Sequence, residues 1–392
     1  MLEKVQSRTK QVVAATLTAL IAASCSNGSS QTNPLAMPPK EATEQVALAI
    51  ETKSLDELYS DAQKEGGELT IYAGGDFQGM YSPLETAWKQ RFPKVKLNII
   101  VDYSKFHDVR VDNQLATGTL VPDVISFQTL HDFPRWKSQG KLLAYKPAGW
   151  DKVHDKFKDP DGAWTAIAVY AFSYRIDTAK VQEGEIKSVQ DLVNPKWKNK
   201  LASSYPSDDD AMLFLYKKYV DKYGWEWLAK LASQNISLGR GSNYGGDRVS
   251  LGESSIAVGA WRLGGQVAPK IDTEQWILPA NDPFMAWGQR AAILAEAKHP
   301  AAAKLYLNWL LSKEVQEAGN AFSWPVRTDV PAAPGIKPIW EYDNANIDEF
   351  VTFMQDRGEV ERWRQTMSLY FGETQGPPSP TFLGLHPGLQ RN

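Results

Sequence analysis

Leu69-Thr70-Ile71-Tyr72-Ala73-Gly74-Gly75-Asp76 is followed six residues on by Ser82-Pro83-Leu84-Glu85, and this pair decides the fold. The first stretch is a short β-rich run that breaks at two glycines. The second is a helix start. Ser82 can cap, Pro83 suits the first helical position and Glu85 can reach back. Leu84, Trp88 and Phe92 then share one helical face. A strand therefore feeds a helix through a glycine turn. The same alternation continues outward. A helix opened by Ser54-Leu55 runs to about Lys64 and stops at Gly66-Gly67. Strands are predicted over 95–101, 121–127, 164–174, 201–205, 255–261 and 276–279. Helices are predicted over 107–116, from Ser207-Asp208-Asp209-Asp210 to about Val220, and from His299-Pro300, where Leu305/Trp309 and Tyr306/Leu310 pair at i, i+4. Strands alternating with helices argue for an α/β fold with parallel sheets flanked by helices. Two sets of such units without a long linker predict two α/β lobes.

Cys25 is the only cysteine in 392 residues. Lys4, Arg8 and Lys10 precede a short apolar run over 11–24, which ends at Ala22-Ala23-Ser24-Cys25. A basic start, a short apolar run and small residues at the break are the layout of a secretory signal. The run is well under the roughly 20 residues of a spanning helix. The four residues ending at Cys25 resemble a bacterial lipobox, with Ala22 where that pattern prefers Leu. The resemblance implies lipidation of Cys25; an ordinary signal peptide with a chance cysteine is the alternative. Residues 25–45, rich in Ser, Asn, Thr and Pro, read as a flexible tether. The chain from Cys25 has 368 residues, with 40 lysines and arginines against 45 aspartates and glutamates. That is ample for a core and gives no sign of the basic surface that nucleic acid requires. With one cysteine, no intrachain disulfide forms.

Catalytic signatures are missing. The five histidines, His107, His131, His154, His299 and His386, show no metal-ligand spacing, and there is no H-E-x-x-H, G-x-S-x-G or P-loop motif. A pair of carboxylates leaves a secreted enzyme on an α/β scaffold as the alternative of another class. The strand ends are more informative, because open α/β sheets bind ligands beyond the carboxyl ends of their strands. Gly74-Gly75-Asp76, Gln128-Thr129 and Ser203-Ser204-Tyr205 are three such ends. Gly239-Arg240-Gly241-Ser242-Asn243-Tyr244-Gly245-Gly246 is the fourth. Each taken singly reads as an ordinary turn; together they predict one cleft. Asp208-Asp209-Asp210 reads as a helix start suited to the helix dipole rather than as a Ca²⁺ site.

The chain resembles the extracellular solute-binding proteins of ABC importers, of the two-lobed type II class that includes ferric-ion, thiamine, polyamine and phosphonate binders. The carriers are 69–73 with Phe92-Pro93, Pro122-Asp123-Val124, and the run Asp191-Leu192-Val193-Asn194-Pro195-Lys196-Trp197-Lys198-Asn199-Lys200. Gly252-Glu253 before Ile256-Ala257-Val258-Gly259, His299-Pro300-Ala301-Ala302-Ala303-Lys304 and Ser312-Lys313-Glu314-Val315-Gln316 complete them. Asp102-Tyr103-Ser104-Lys105-Phe106-His107-Asp108 looks like the mark of a subgroup. The resemblance implies a hinged clamp crossed near 160–172 and 275–285. It implies a signal peptide over 1–24, an N-terminal lobe of 46–160 and 276–325, a C-terminal lobe of 161–275 and 326–375, and an extended tail over 376–392. It further implies a monomer outside the cytoplasm, periplasmic or at the cell surface. That monomer would be anchored only by lipid, would carry no resident cofactor or metal, and would deliver a small solute to an inner-membrane ABC permease. In the ferric branch adjacent tyrosines follow the Gly-Glu turn; here the matching positions are Ala260-Trp261-Arg262. Arginine is a planar fork for carboxylate or phosphate. Arg240, Arg248 and Arg262 therefore favour an anionic or zwitterionic organic solute, with Trp261 as an apolar wall, unless Asp247 and Glu253 pair with them. The ligand set expected is Gly75, Asp76, Gln128, Thr129, Ser204, Tyr205, Arg240, Tyr244, Trp261 and Arg262. A ferric ion held through Tyr205 and Tyr244 is the alternative. Trp324-Pro325-Val326-Arg327 is expected to form a cleft wall.

Overall fold

The structure, a computed structural model, describes residues 48–262, 271–319 and 323–387. The expected signal, tether and Cys25 lie outside these residues. The described residues form one compact unit. Its first helix, α1 (Leu55–Glu65), is set by its ends. Ser54 and Glu57 form a reciprocal capping box, and Gly66 closes the helix at φ 133°. β1 (Glu68–Gly74) then enters the sheet between β2 (Lys96–Asp102) and β3 (Val124–Phe127), parallel to both. The helix between them, α2 (Ser82–Arg91), differs from expectation at its start. Tyr81, not Ser82, takes the cap position and makes no side-chain cap bond. Pro83, which lacks an N–H in the first turn, reduces the need for one. The predicted apolar face holds: Trp88 and Phe92 are buried against Trp309 of α7 (Pro300–Leu310), with ring centroids 5.4 and 6.1 Å away.

Among the described residues, nine strands form one continuous sheet in the order β2-β1-β3-β9-β4-β7-β5-β6, with β8 (Glu274–Ile277) beside β4. The flanks are parallel, β1–β3 on one side and β5 (Leu201–Ser204), β6 (Ser237–Gly239) and β7 (Ile256–Trp261) on the other. The middle is antiparallel. There β4 (Thr165–Asp177) and β9 (Met285–Ile293) cross from one half to the other. The parallel units stand at the two flanks as expected, and the 13-residue β4, which pairs with β9, β7 and β8, joins the two halves.

Each half buries its own core. Ile71, Trp88, Ile293 and Leu305 pack under the first flank. On the second flank α5 (Asp210–Ala232), α9 (Ile347–Gln355) and α10 (Arg357–Phe371) cover β5 and β7 through Leu213, Tyr216, Ile256, Phe353 and Met367. α5 runs past the predicted end near Val220 and bends at Gly224, whose φ of 80° is left-handed. A third cluster of Val169, Phe157, Trp324, Val326 and Ile339 holds the 324–345 stretch on the crossing strands.

Within the tail expected over 376–392, residues 379–385 lie against the first half. Ser379 donates to Asp102 on β2, and α3 (Ser104–Thr117) holds the rest. Arg110 donates to the carbonyls of Leu383 and Gly384, and Gln114 to that of Leu385. Arg110 also pairs with the fully buried Asp102 at 2.6 Å. Among the described residues no helix is long and apolar enough to cross a membrane.

Candidate functional site

The loops at the strand ends converge, as the α/β rule requires. Between them lies a cavity of about 870 Å³, within the 300–1,000 Å³ range of small-molecule sites. The first half contributes the turn after β1 (Gly74, Gly75, Asp76) and the end of β3 (Ser126, Gln128, Thr129). The second contributes the start of α5 and the loop Gly241-Ser242-Asn243 before α6 (Tyr244–Ser250).

The two halves touch across the cavity mouth. Asp76 Oδ2 accepts from Ser242 Oγ at 2.7 Å and from the Asn243 N–H at 2.9 Å. Lys105 Nζ donates to the Asp208 carbonyl and carboxylate, both at 2.7 Å. Glycine is needed at this approach. Gly241 has φ +84°, and a Cβ there would sit 3.1 Å from Tyr103 Oη and 3.3 Å from Asp76 Cγ. Burial holds the Asp76 carboxyl above the usual carboxylate range, although the bonds from Ser242 and Asn243 oppose it.

The crossing strands build the floor. Tyr170 of β4, Trp261 of β7 and Trp287 of β9 form an aromatic corner. The Tyr170–Trp261 ring centroids are 4.8 Å apart and the Trp261–Trp287 planes stand at 80°. Gln289 is fixed beside them, accepting from Trp287 Nε1 and donating to the Ser126 carbonyl. Trp324 and Pro325 close the far wall.

Besides Arg364 Nε, four buried polar atoms on cavity-lining residues have no hydrogen-bond partner among the described residues. They are Ser126 Oγ, Thr129 Oγ1, Asn243 Nδ2 and Trp261 Nε1. Leaving a buried polar group unpaired costs about 1–3 kcal/mol. Four on the lining of one cavity mark where a ligand would bond.

Of the residues read from sequence, Gly75, Asp76, Gln128, Thr129 and Trp261 line the cavity; Ser204, Tyr205, Arg240, Tyr244 and Arg262 do not. Each departure has a physical cause. Ser204 Oγ donates to the Gly241 carbonyl at 2.5 Å and so shapes the loop from behind. The Tyr205 N–H bonds to the Gly239 carbonyl. Tyr244 bonds to Ser237, and its ring lies against Gly239, away from the cleft. Arg240 pairs with Asp208 at 2.6 Å, Arg248 pairs with Glu253, and Arg262 lies over the Trp324 ring. The arginine cluster expected at the cleft edge is therefore not assembled. The three cations that do line the cavity among the described residues, Arg91, Lys105 and Arg364, are paired with Asp56, Asp208 and Asp210. The triple aspartate acts as a helix start, with Asp209 capping the Met212 N–H at 2.8 Å.

Sequence reasoning missed Ser126, Tyr170, Asn243, Trp287 and Gln289. Ser242 and Asn243 did stand in the glycine-rich loop it quoted, and Tyr170 in a predicted strand. β9, which carries Trp287 and Gln289, gave no strand signal.

Burial pushes Asp209 up to about 7. Its folded pKa thus stands above its unfolded value of roughly 4. Its contribution to stability is complete below pH ~4 and is lost as pH rises through 7. Asp209→Asn, which keeps a capping side chain, is expected to flatten that decline. Urea midpoints at pH 4.5 and 8 for both proteins test this. An unchanged pH dependence would show that Asp209 titrates normally.

A family described as bacterial extracellular solute-binding protein matches residues 120–345. The chain is similar to the Fe(3+)-binding periplasmic protein of Serratia marcescens, 25% identical over 215 residues, which are 50% of this chain and 62% of that relative. The match therefore spans less than two thirds of the relative's length. Iron-bound HitA from Pseudomonas aeruginosa has a similar structure (TM-score 0.61, 20% identity, 76% of this chain and 99% of that one). So does AfuA from Actinobacillus pleuropneumoniae with fructose-6-phosphate bound (TM-score 0.62, 18% identity, 78% and 99%). These likenesses establish the two-lobed fold.

Proposed function

The chain belongs to the bacterial extracellular solute-binding protein family, and on that premise we propose that it holds a small zwitterionic organic solute in the cavity and delivers it to an ABC-type permease. The observation that carries this is the set of four unpartnered polar atoms. Asn243 Nδ2 and Trp261 Nε1 are pure donors, and the two hydroxyls can donate. The solute therefore brings oxygen acceptors to this side and an apolar face to Tyr170, Trp261 and Trp287. A purely anionic ligand fits less well, because Arg240 and Arg248 are paired with Asp208 and Glu253 and Arg262 lies over Trp324 rather than lining the cavity. Asp76, Asp208, Asp209 and Asp210 also line the cavity; Asp208 and Asp210 already hold cationic side chains, so a cationic group of the solute would lie toward Asp76 and Asp209. Nothing in the arrangement requires bond chemistry, so binding and release are the activity.

The chain then works outside the cytoplasm as a monomer, with Cys25 as its lipid anchor. Tethering raises its effective concentration at the permease.

A calorimetric screen of the full chain against amino acids, betaines, carboxylates, phosphosugars and ferric citrate tests the reading. A zwitterion is expected to bind without turnover. Trp261→Phe keeps the ring but deletes the donor. It is expected to weaken that ligand about fivefold to tenfold, as loss of one neutral hydrogen bond predicts. Unchanged affinity would remove Trp261 from the ligand set. The Serratia relative and HitA favour a second reading, a ferric species. If ferric citrate alone binds, that reading replaces the first. It would have to use cavity-lining tyrosines such as Tyr103 or Tyr170 rather than Tyr205 and Tyr244.

A further inference from the structure

Outside the cavity, the corner between α3 and α4 (Asp132–Ser138) brings together Asp108, His131 and Asp132. One ligand atom from each lies within 4.8 Å of the others. Asp108 and His131 are half-buried, and Asp132 is 3% exposed. Asp132 uses only one oxygen. Its Oδ1 receives Arg135 Nη2 at 2.6 Å and faces His131 Nε2 at 3.6 Å, while its buried Oδ2 receives no N–H or hydroxyl among the described residues and the carboxyl lies within hydrogen-bonding reach of Asp108. His131 Nδ1 is likewise buried and has no hydrogen-bond partner among the described residues. Arg135 does not fill the gap, because its fork is engaged by Asp112 through two 2.9 Å bonds. Two neighbouring carboxylates with an orphaned oxygen need a cation or a shared proton between them.

We propose that Asp108, His131 and Asp132 bind a divalent transition-metal ion of the Zn²⁺ or Mn²⁺ class, at a site separate from the solute cavity. The imidazole makes the choice. Ca²⁺ and Mg²⁺ prefer all-oxygen shells with more ligands, whereas imidazole with carboxylate suits first-row transition ions. Donor atoms around such an ion stand about 3–4 Å apart, so modest side-chain rotation closes the observed spacing. Arg135 keeps its place behind the site, orienting Asp132 through Oδ1 as outer-shell partners do. Open positions would be filled by water. The ion would pin α3 to the start of α4, next to Thr129 of the cavity. Arg357 and Asp210 from the other half lie close enough to His131 to act on its charge, so the site sits at the seam between the halves.

Metal-free full-length chain titrated with Co²⁺ and Zn²⁺ tests the proposal. One saturable equivalent is expected, with Co²⁺ ligand-field absorption and a Zn²⁺-dependent rise in melting temperature. His131→Ala and Asp108→Asn are each expected to weaken binding at least tenfold while leaving the shift by the cavity ligand intact. Asp108→Asn is nearly isosteric and serves if the histidine variant does not fold. Three results would overturn the site: no saturable binding, affinity in both variants unchanged from that of the parent chain, or preference for Ca²⁺ or Mg²⁺. Stabilisation by Asp108→Asn without any metal binding would show that a shared proton fills the gap instead, and would likewise overturn it.

Discussion

Arg110→Ala is expected to lower the unfolding free energy by ~3–5 kcal/mol, the cost typical of removing one partner from a buried ion pair. Asp102 is fully buried and would be left without its counter-charge. Tyr103 N–H and Ser379 Oγ still donate to its other oxygen, which limits the loss. The same change removes the donors to the Leu383 and Gly384 carbonyls. It should therefore also release the 379–385 stretch to protease. Chemical denaturation combined with limited proteolysis separates the two effects. Arg110→Lys keeps the charge but not the fork, and should restore only part of the stability. A loss under 1 kcal/mol in Arg110→Ala would mean that water solvates Asp102 in place of the guanidinium.

Asp76→Ala is expected to weaken solute binding about 100-fold with little change in the unfolding midpoint. The residue contributes little to either core. Its carboxylate instead takes two bonds from the opposite half, one from Ser242 Oγ and one from the Asn243 backbone. Hydrogen bonds to charged groups contribute about 1.5–3 kcal/mol each, offset here by the cost of burying the charge. A net loss of roughly 2.7 kcal/mol for the closed form corresponds to 100-fold. A ligand can close the halves only by its differential affinity for the closed form, so the deficit appears in the dissociation constant. Titration calorimetry measures it, and small-angle scattering shows whether the unliganded protein becomes wider. If affinity holds within threefold, the Asp76 contacts do not select the closed form.

The alternation of strand and helix was legible because period and punctuation are local. Gly66, the Gly74-Gly75 pair and Pro83 each mark a boundary with their own backbone chemistry. So were Gly75, Asp76, Gln128 and Thr129, since a strand end in an α/β sheet has a fixed place. The arginines were not legible. Whether Arg240 faces a solute or an aspartate depends on Asp208, which stands 32 residues earlier on another loop. Tyr244 failed for a related reason: a side chain opening α6 can point along the cleft or back onto β6, and Gly239 leaves room for the second choice. Ser126 and Gln289 belong to strand interiors, where sequence shows burial but not that a polar atom will be left unpaired. β9 hid because its Ala-rich, fully buried residues carry no alternation. The tail gave only its composition, since its partners on α3 lie more than 270 residues away.

That tail also sets a mechanical limit. Thr374 is still fastened to the second half through Ser207, at 3.0 Å between hydroxyls, and Ser379 is already fastened to the first. Only Gln375, Gly376, Pro377 and Pro378 lie between these anchors. Five Cα steps reach at most about 18 Å when fully drawn out, and two prolines already hold part of that length extended. Besides β4 and β9, the two halves therefore share a short leash. Along that edge the cleft can part only until the slack is gone. Wider travel would require Ser379 or Thr374 to let go, so the gape of this protein is bounded by four residues outside the cavity lining.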